Sequence, residues 1–375
     1  MKVLLVSEFF PIGKNLKFSG GVEARTYYLA RYLAKNQNDV TVLTSQINTA
    51  PREEKLEGFR ILRVGPKRSY SATAGGVLER IFFIKDAIKI GKNLDCEIVD
   101  GSNFITHLIA KRIATSKKIP AVAWYPDVWT GSWITNAGIV GILGEILERF
   151  NLASGFDKYI AISKSTAKKL PKKVDGKIEI IPCGIDKKEF KNGRKKSDAT
   201  IICVSRLAKY KNVKDLLFAF ALVSMKIKAK LIIIGTGPED KALKSLAENL
   251  KIRSKVQFFS NLPRRQLINL YQSSTIFCLP SRVEGFGISI IEASASGTPY
   301  VVSDIEVFRE ITKNGQGGLL FKLGDIKDLA SKLETLLNDN KIYKKKQQEG
   351  LNLTRNYSWD DVALQTESIY KTLLK

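Results

Sequence analysis

The sequence has a single histidine, and its four cysteines are widely spaced, with no two of them arranged as Cys-x-x-Cys. Zinc sites and disulfide frameworks both need clustered ligands, so neither is indicated. Runs of about 18 apolar residues, which a membrane-spanning helix needs, are absent. The first apolar stretch, KVLLV, is too short for the core of a signal peptide and predicts a buried strand. We therefore expect a cytoplasmic protein that is stabilised by hydrophobic cores.

Acidic residues are also scarce: 37 Asp and Glu stand against 61 Lys and Arg, which gives a formal net charge of +24. Such an excess favours anionic partners, whether nucleic acid, a membrane surface or phosphorylated small molecules. Charge alone does not select among these three. The lysine-rich segments 187–196 and 341–346 are interpreted as solvated surface.

Short β-branched segments that end in Gly, Ser or Pro alternate with longer amphipathic segments along the chain. Examples of the short segments are KVLLVS, VTVLTS, TIICVS, KLIIIG and TIFCLP. This alternation predicts an α/β fold in which parallel sheets are covered by helices on both faces. Because the chain has 375 residues and too many strands for one compact sheet, we expect two Rossmann-like, doubly wound domains that face each other across a cleft.

The most polar break in this pattern is DKKEFKNGRKKSD, residues 186–198. We place a domain boundary there, which gives domains at 1–185 and 186–355. Residues 356–375 form a last predicted segment, a helix whose packing on the first domain is left open. Ligands of open α/β sheets bind beyond the carboxyl ends of the strands, so candidate site residues are sought in the loops that follow strands.

Two basic residues follow the first strand after this boundary, in VSRLAKYKNV. Arg206 comes after the strand and Lys211 precedes the next helix, so both cations are expected at the same edge of the sheet. Together they would neutralise a diphosphate without a metal ion. An ordinary basic loop is the alternative.

Two glycine-containing turns are candidate anion sites, because glycine allows close backbone approach and a helix start offers free N–H groups. Gly235 and Gly237 lie in IIIGTGPED, and Gly20 and Gly21 precede a helix in FSGGVEAR. The third glycine of a dinucleotide fingerprint is missing from GTGPED, so a nicotinamide cofactor is not expected. The structural alternatives are a tight turn with Pro238 at the first helical position, and a plain helix start.

The stretch EGFGISIIE contains two acids, Glu284 on a predicted loop and Glu292 in the early turns of a predicted helix. Between them, the amides of Phe286, Gly287 and Ile288 lie at the helix N-terminus, where a diphosphate binds favourably. Carboxylates accept paired hydrogen bonds from vicinal hydroxyls, so the two acids could recognise a sugar and a ribose on either side of one anion. Acids that simply face water are the alternative.

In chain order, the segments SGGVE, SRLAKYKN, GTGP and EGFGISIIEASASGTP resemble the retaining nucleotide-sugar glycosyltransferases of the GT-B fold, family 4. The resemblance covers essentially the whole chain and implies an acceptor-side first domain and a donor-side second domain. It assigns Arg206 and Lys211 to the donor diphosphate, Glu284 to the donor sugar and Glu292 to the nucleotide ribose. The glycines and the backbone of residues 286–288 would complete the donor contacts.

The implied reaction moves a hexose-type sugar from a nucleoside diphosphate sugar to an acceptor hydroxyl. No Asp-x-Asp triplet occurs, so neither a metal nor another cofactor is expected. Many family members carry a histidine near the donor sugar, where this chain has Pro126 and Asp127 in AVAWYPDVW. Asp127 is therefore our candidate for positioning the acceptor or sugar, with a capping role as the alternative. The single histidine, His107, is predicted to be structural.

Two segments favour peripheral contact with an anionic membrane. One is VLERIFFIKDAIKIGKNL, a basic amphipathic helix with Val77, Ile81, Ile84 and Ile88 on one face, and the other is the tryptophan-containing DVWTGSWITNAGIVGILGEIL. With the net charge, they suggest attachment to the inner membrane face and a lipid-linked or membrane-proximal acceptor glycan. A core helix and a packed loop are the alternatives for the two segments.

Two other functions stay open from the residues alone. A nucleotide-sugar epimerase of the same fold would need its own acid–base set, which a single histidine makes harder to supply. A basic nucleic-acid-binding protein would explain the charge, but the chain contains no recognisable nucleic-acid-binding module.

Overall fold

The computed structural model describes residues 1–12, 18, 20–47, 49–68, 76–190, 199–260 and 262–375. The chain divides into two units, and each is described by itself. Unit 1 comprises Met1–Gly184 together with Trp359–Lys375, and unit 2 comprises Ile185–Ser358. Of the polar segment at which the sequence placed a boundary, residues 191–198 lie outside the described residues, as do most residues of the lysine-rich segment 187–196.

The strands of unit 1 are β1 (Lys2–Val6), β2 (Asp39–Ile47), β3 (Glu53–Leu56), β4 (Phe59–Arg68), β5 (Ile98–Gly101), β6 (Ala121–Tyr125), β7 (Lys158–Ala161) and β8 (Ile178–Ile180). Those of unit 2 are β9 (Ala199–Val204), β10 (Ala229–Ile234), β11 (Val256–Phe259), β12 (Ile276–Leu279), β13 (Tyr300–Ser303) and β14 (Gly318–Phe321).

Each unit is built on one sheet. Among the described residues, the strand order is β3-β4-β2-β1-β5-β6-β7-β8 in unit 1 and β11-β10-β9-β12-β13-β14 in unit 2. All neighbouring strands are parallel except the antiparallel pair β3 and β4. These two Rossmann-like sheets confirm the α/β class that the alternating segments predicted.

The helices of unit 1 are α1 (Gly21–Lys35), α2 (Val77–Asn93), α3 (Phe104–Lys117), α4 (Trp133–Ala137), α5 (Gly141–Ala153), α6 (Lys164–Ala167) and the last one, α14 (Trp359–Leu373). Those of unit 2 are α7 (Val213–Lys226), α8 (Asp240–Asn249), α9 (Arg264–Ser273), α10 (Ile288–Ala295), α11 (Glu306–Ile311), α12 (Ile326–Asn338) and α13 (Asn340–Leu353).

Helices cover the sheets because the strands are apolar on both faces. In unit 1, α2, α3 and α5 pack on one core, and in unit 2 the principal core lies against α7 and α12. Central strands such as β10, with the sequence AKLIII, have almost no exposed side chains, as expected for a parallel strand buried on both faces. The loops that follow these strands are therefore anchored to a buried sheet.

The sequence left the position of the last helix open, and the structure packs α14 on α1 of unit 1. The rings of Tyr28 and Trp359 are stacked with centroids 5.1 Å apart. The Tyr370 hydroxyl donates a hydrogen bond to Asp100 Oδ2 at 2.5 Å inside the unit. The chain thus returns to its first unit after completing the second.

Helix α2 forms where the sequence predicted it, and one side of it packs on the core of unit 1. Phe83 and Ala87 are fully buried, whereas Val77 and Ile81 are exposed. Of the four apolar residues on the predicted face, the first two are thus exposed and the last two pack against the core. None of the described helices has the length and hydropathy that would let it cross a bilayer.

Candidate active site

The loop after β9 carries both basic residues that the sequence singled out. Arg206 lies two residues beyond β9 and is exposed, while Lys211 ends a short turn just before α7. Tyr210 contacts both cations: its hydroxyl accepts a hydrogen bond from Arg206 Nη2, and its ring centroid lies 5.7 Å from Arg206 Cζ and 5.1 Å from Lys211 Nζ. Sequence reasoning missed Tyr210, although an aromatic residue among cations in one loop is a usable signal.

Glu284 lies on the loop after β12, and the structure brings it to Lys211. Lys211 Nζ donates to Glu284 Oε1 at 2.5 Å, and the Ser281 hydroxyl donates to the same oxygen at 2.9 Å. The backbone joins the two loops as well, because the N–H of Arg282 donates to the carbonyl of Tyr210 at 2.8 Å. The lysine and glutamate side chains are 12% and 11% exposed. This pair therefore forms beyond the carboxyl ends of the unit 2 strands, where α/β sheets bind ligands.

Glu292 is the fifth residue of α10, and two side chains of α9 hold its carboxylate. Arg264 Nη1 donates to Glu292 Oε1 at 2.5 Å, and the Tyr271 hydroxyl donates to Oε2 at 3.2 Å. Arg264 also contacts Glu189, with its Nη2 3.0 Å from Glu189 Oε2. Burial raises the pKa of Tyr271 well above its usual value, so the hydroxyl keeps its proton and remains a donor. Each oxygen of Glu292 is therefore oriented by a protein donor.

Sequence reasoning missed Arg264 and Tyr271 as partners of Glu292. A signal was present, because residues seven apart lie on the same face of a helix, and the two bracket the apolar positions of α9. What the sequence did not show is that this face of α9 meets α10, a contact between elements that are distant along the chain.

The turn between the two acids is shaped by a glycine and a buried ring. Gly287 has φ +99°, and a Cβ there would lie 2.8 Å from Cε1 of Phe308. The Phe286 ring is buried and packs edge-on against Tyr357, with centroids 5.7 Å apart. The Phe286 side chain is therefore part of the packing of unit 2, and the sequence prediction for this residue concerns its backbone amide. The amides of Gly287 and Ile288 lie at the N-terminus of α10, and within the described part of the chain neither donates a hydrogen bond.

The turn after β10 has a structural reason for its glycines. A Cβ at Gly235 would lie 1.8 Å from the carbonyl oxygen of Ser205, and one at Gly237 would lie 2.2 Å from that of Leu207. The N–H of Glu239 donates to the Leu207 carbonyl at 2.9 Å. The free amides expected at this turn are thus corrected in part. The N–H of Glu239 holds the loop that carries Arg206, and the N–H of Gly235 donates to the carbonyl of Phe259 at 2.9 Å. Pro238 lies two residues before α8, not at its first position.

In unit 1, Gly20 precedes α1 and Gly21 is its first residue. A Cβ on either glycine would meet no atom within 4 Å among the described residues. The backbone of Gly20 is extended, with φ −179°, which any residue can adopt. Packing within unit 1 therefore gives no reason for glycine at these two positions, unlike the turns of unit 2.

The contacts of Asp127 favour the capping alternative. Its Oδ1 accepts hydrogen bonds from the Val128 N–H at 2.8 Å and from Lys169 Nζ at 2.7 Å, and its Oδ2 accepts one from Trp129 Nε1 at 3.1 Å. Both oxygens are thus occupied by the protein. His107 is buried, and its Nε2 lies 2.9 Å from the Trp124 carbonyl oxygen. Burial lowers the pKa of His107 to about 4, so it is neutral near pH 7, in keeping with a structural role.

The four cysteines are buried and free. In the described part of the chain, no group of three or more His, Cys, Asp and Glu side chains is arranged to hold a metal ion. The positive groups near the predicted diphosphate position are side chains of the protein itself, Arg206 and Lys211.

Both halves of the chain match known protein families. Residues 19–189 match the model of the family described as "Glycosyltransferase Family 4", and residues 184–352 match that described as "Glycosyl transferases group 1". The chain is 24% identical to an uncharacterized glycosyltransferase from Methanocaldococcus jannaschii, over 100% of this chain and 99% of the relative.

A second relative has a named activity. The N,N'-diacetylbacillosaminyl-diphospho-undecaprenol alpha-1,3-N-acetylgalactosaminyltransferase of Campylobacter jejuni is 32% identical over 51% of this chain and 48% of its own length. Among solved structures, a sucrose-phosphate synthase from Thermosynechococcus elongatus superposes with a TM-score of 0.86 at 18% identity, covering 100% of this chain and 99% of that one. These matches give no support to an epimerase or to a nucleic-acid-binding protein.

Proposed function

Because the chain is a glycosyltransferase of family 4 (group 1) with the GT-B fold, we propose that unit 2 binds a nucleoside diphosphate hexose and that the enzyme transfers the sugar to an acceptor hydroxyl with retention. The observation that carries the proposal is the pairing of Lys211 with Glu284 beside the exposed Arg206, at the carboxyl edge of the unit 2 sheet. The cations suit the diphosphate of such a donor, and the carboxylate suits the hydroxyl groups of its sugar.

Each side chain has a distinct task in this proposal. An ammonium group has three N–H donors, and Glu284 takes one from Lys211, so two remain for a diphosphate. Arg206 and the amides that start α10 would add donors to the same anion. Glu284 would accept hydrogen bonds from sugar hydroxyls, and Glu292 from the nucleotide ribose. As the glycosidic bond breaks, negative charge grows on the leaving diphosphate, where these cations stabilise it most.

We further propose that the transfer needs no metal and no carboxylate base. In a retaining transfer of this kind, the acceptor approaches from the face that the diphosphate leaves, so an oxygen of the departing phosphate can take the acceptor proton. The two cations would do the charge stabilisation that a divalent ion provides in other transferases. Activity that persists in excess chelator would support this point, and activity that requires added Mg²⁺ or Mn²⁺ would overturn it.

The test of the donor site is thermal unfolding with UDP, GDP and their common sugar conjugates, and with ATP and NAD as controls. A ligand at about 100 times its dissociation constant stabilises the folded state by roughly 2.7 kcal/mol, which shifts the midpoint visibly. We expect one diphosphate sugar to produce the shift and the Arg206→Ala variant to lose it. Arg253→Ala, which removes an arginine just before β11 at the opposite edge of the sheet, is the matched control. If no nucleotide sugar shifts the midpoint, unit 2 is not a donor site of this kind.

We also propose that the acceptor is lipid-linked and that unit 1 contacts an anionic membrane on the cytoplasmic side. The supporting observation is a set of large exposed apolar side chains on α4, the turn after it and α5: Ile134, Ile139, Val140, Ile142, Leu143, Ile146 and Phe150. Exposed apolar patches of this kind mark interaction surfaces. The Campylobacter relative, whose name includes diphospho-undecaprenol, supports the same acceptor class.

Basic side chains accompany this apolar surface. Lys85, Lys89 and Lys92 lie on α2, which also exposes Leu78 and Phe82 near its start. Both α2 and α5 pack beside α3, so the two sets of exposed apolar residues lie on helices covering the same face of the sheet. Apolar residues with lysines around them are suited to anionic lipid headgroups.

Flotation with vesicles that contain phosphatidylglycerol tests this surface. We expect wild type to float at low salt and the double variant Ile139→Glu/Ile146→Glu to stay in the soluble fraction. Met225→Glu is the matched control, because Met225 of unit 2 is 82% exposed and Ile139 is 84% exposed. Wild-type protein that remains wholly soluble at low salt would remove the membrane proposal and leave the donor site untouched.

A further inference from the structure

Two arginines of unit 1 share one carboxylate at the carboxyl edge of its sheet. Glu8 follows β1, Arg68 ends β4, and Arg80 is the fourth residue of α2. Arg68 Nη2 donates to Glu8 Oε1 at 2.6 Å, and Arg80 Nε donates to the same oxygen at 3.0 Å. Nδ2 of Asn103, which caps α3, is 3.5 Å from Glu8 Oε2. The cluster therefore lies where open α/β sheets bind their ligands.

Among the described residues, this cluster contains two positive charges and one negative charge. Arg68 is 2% exposed, and its Nε and Nη1 are buried without a hydrogen-bond partner among the described residues. The Phe9 ring lies 4.3 Å from Arg68 Cζ, but a ring face accepts no strong hydrogen bond. Buried donors without acceptors are rare and destabilising, so such groups call for an explanation.

A second buried arginine in the same unit has a carboxylate partner of its own. Arg25 donates through Nη1 and Nη2 to both oxygens of Asp100, at 3.0 Å and 2.8 Å. One guanidinium there meets one carboxylate in the bidentate geometry that satisfies both. At Glu8, by contrast, two guanidinium groups depend on a single carboxylate oxygen.

We propose that Arg68 and Arg80 bind a phosphate group of the acceptor. A phosphate supplies several oxygens that would satisfy the unpartnered nitrogens of Arg68 and would cancel the excess charge. Arg80 is the accessible member, with its side chain 28% exposed, and within the described residues it uses only Nε on Glu8. The assignment to an acceptor rests on the proposed function, whereas the phosphate site itself does not.

Phosphate binding can be measured without knowing the acceptor. The Arg206→Ala/Lys211→Ala double variant removes the cations of the proposed donor site, so that phosphate bound elsewhere can be read by calorimetric titration with inorganic phosphate. In that background we expect Arg80→Gln to weaken phosphate binding at least tenfold. Arg60→Gln is the matched control, because Arg60 lies on β4 as Arg68 does and makes only an exposed ion pair with Glu53. Circular dichroism and unfolding midpoints without phosphate confirm that each variant is folded.

The outcomes separate clearly. Absence of phosphate binding in the double variant, or equal affinities for Arg80→Gln and Arg60→Gln, would overturn the proposal. A loss confined to Arg80→Gln supports it, and rescue by Arg80→Lys would indicate that charge is the main requirement. If nucleotide sugars fail to shift the unfolding midpoint of wild type while this loss is seen, the donor assignment fails and the phosphate site stands.

Two ligands distinguish the source of the phosphate. Glucose 6-phosphate represents soluble acceptors, and phosphatidylinositol in phosphatidylcholine vesicles represents lipid acceptors. If Arg80→Gln weakens the binding of glucose 6-phosphate only, the acceptor is a soluble sugar phosphate. If it weakens the binding of phosphatidylinositol vesicles only, the acceptor phosphate belongs to a lipid. If neither affinity changes relative to Arg60→Gln, no acceptor phosphate of either kind binds there and the proposal is overturned.

Discussion

Two ion pairs, one in each unit, have similar chemistry but different surroundings. In unit 1, the side chains of Arg25 and Asp100 are 2% and 0% exposed, and Tyr370 adds a third hydrogen bond to the acid. In unit 2, Lys211 and Glu284 are 12% and 11% exposed and meet through one oxygen of the acid. The first pair is closed to ligands. The second pair is accessible, and it still has N–H donors and a carboxylate oxygen that a ligand could use.

This difference separates a structural pair from a ligand-binding pair. Both oxygens of Asp100 are used by protein donors, so breaking that pair would leave a buried charge with nothing to replace it. Lys211 retains two N–H donors, and Glu284 retains an oxygen that no hydrogen bond occupies among the described residues. Residue type alone would not distinguish the two pairs, because each is one cation and one carboxylate.

The largest effect on stability is expected from Asp100→Asn. It leaves the Arg25 guanidinium buried without its counter-ion, which should lower the free energy of unfolding of unit 1 by about 3–5 kcal/mol. All four tryptophans, Trp124, Trp129, Trp133 and Trp359, belong to unit 1, so urea unfolding followed by their fluorescence reports on that unit.

The control is Asp95→Asn, since Asp95 makes only an exposed ion pair with Lys2 and should change stability by less than about 1 kcal/mol. Equal free energies of unfolding for the two variants would mean that the ion pair of Arg25 and Asp100 contributes no more to stability than a surface ion pair. Binding of a nucleotide sugar to unit 2 should survive Asp100→Asn under conditions where the protein stays folded.

The reverse pattern is expected for Lys211→Ala. Loss of one group that stabilises growing charge lowers kcat by about 10²–10³-fold, while the accessible position keeps the change in stability small. Steady-state transfer of the donor sugar and thermal unfolding measure the two effects separately. Lys226→Ala, which removes an exposed lysine of α7 paired with Glu334, should keep full activity. A Lys211→Ala enzyme with wild-type kcat would contradict its role at the diphosphate.

The fold was predictable because its signals are local. Segments such as TIICVS and KLIIIG are β-branched, end in turn residues and precede amphipathic helices, which is enough to predict parallel sheets. The motif residues were predictable for another reason: a loop after a strand can only lie at the carboxyl edge. Arg206, Lys211 and Glu284 follow from that rule without knowledge of any contact.

The remainder depends on contacts between distant segments. Lys211 and Glu284 are 73 residues apart, and nothing local indicates that they bond. Phe286 lies between glycines, a setting typical of an exposed loop, yet its ring is buried against Tyr357. Which apolar residues of α2 are covered likewise depends on the neighbouring elements, since the residues at the start of its predicted face are exposed.

A smaller effect should distinguish the glycines of the two units. Gly287→Ala forces a non-glycine residue to φ +99° and places a Cβ 2.8 Å from the Phe308 ring, so a loss of about 1–3 kcal/mol is expected. Gly21→Ala meets open space at the first position of a helix and should be neutral or stabilising by less than about 1 kcal/mol.

Chemical denaturation of both variants tests this contrast, and donor KM adds a second reading. If the Gly20–Gly21 turn contacts the donor as its motif suggests, Gly21→Ala raises KM while stability is unchanged. A stable Gly21→Ala enzyme with wild-type kinetics would show that this turn is only a helix start.

A smaller effect on transfer than that of Lys211→Ala is expected at Arg264, which acts through Glu292. Arg264→Gln removes one of the donors that orient the carboxylate, and the ribose it is proposed to hold is remote from the bond that breaks. The variant should therefore lose binding energy that is equal in the ground state and the transition state. We expect donor KM to rise about tenfold and kcat to stay nearly unchanged. A fall in kcat at constant KM would instead place Arg264 close to the reacting centre.

A deoxyribose form of the donor makes this test specific to the ribose contact. Removing the hydroxyl and removing Arg264 should each weaken donor binding, but together by less than the product of the two effects, because both act on the same hydrogen bond to Glu292. Multiplicative effects would mean that Arg264 supports α10 without orienting the ribose contact. Arg265→Gln, the exposed neighbour on α9, should leave both donors unaffected. Coupling that is seen at position 264 and not at position 265 would show that the ion pair of Arg264 and Glu292 differs from both pairs described above. In this pair, the contact within the protein would stay in place when the ligand binds, and it would orient the carboxylate toward the ribose.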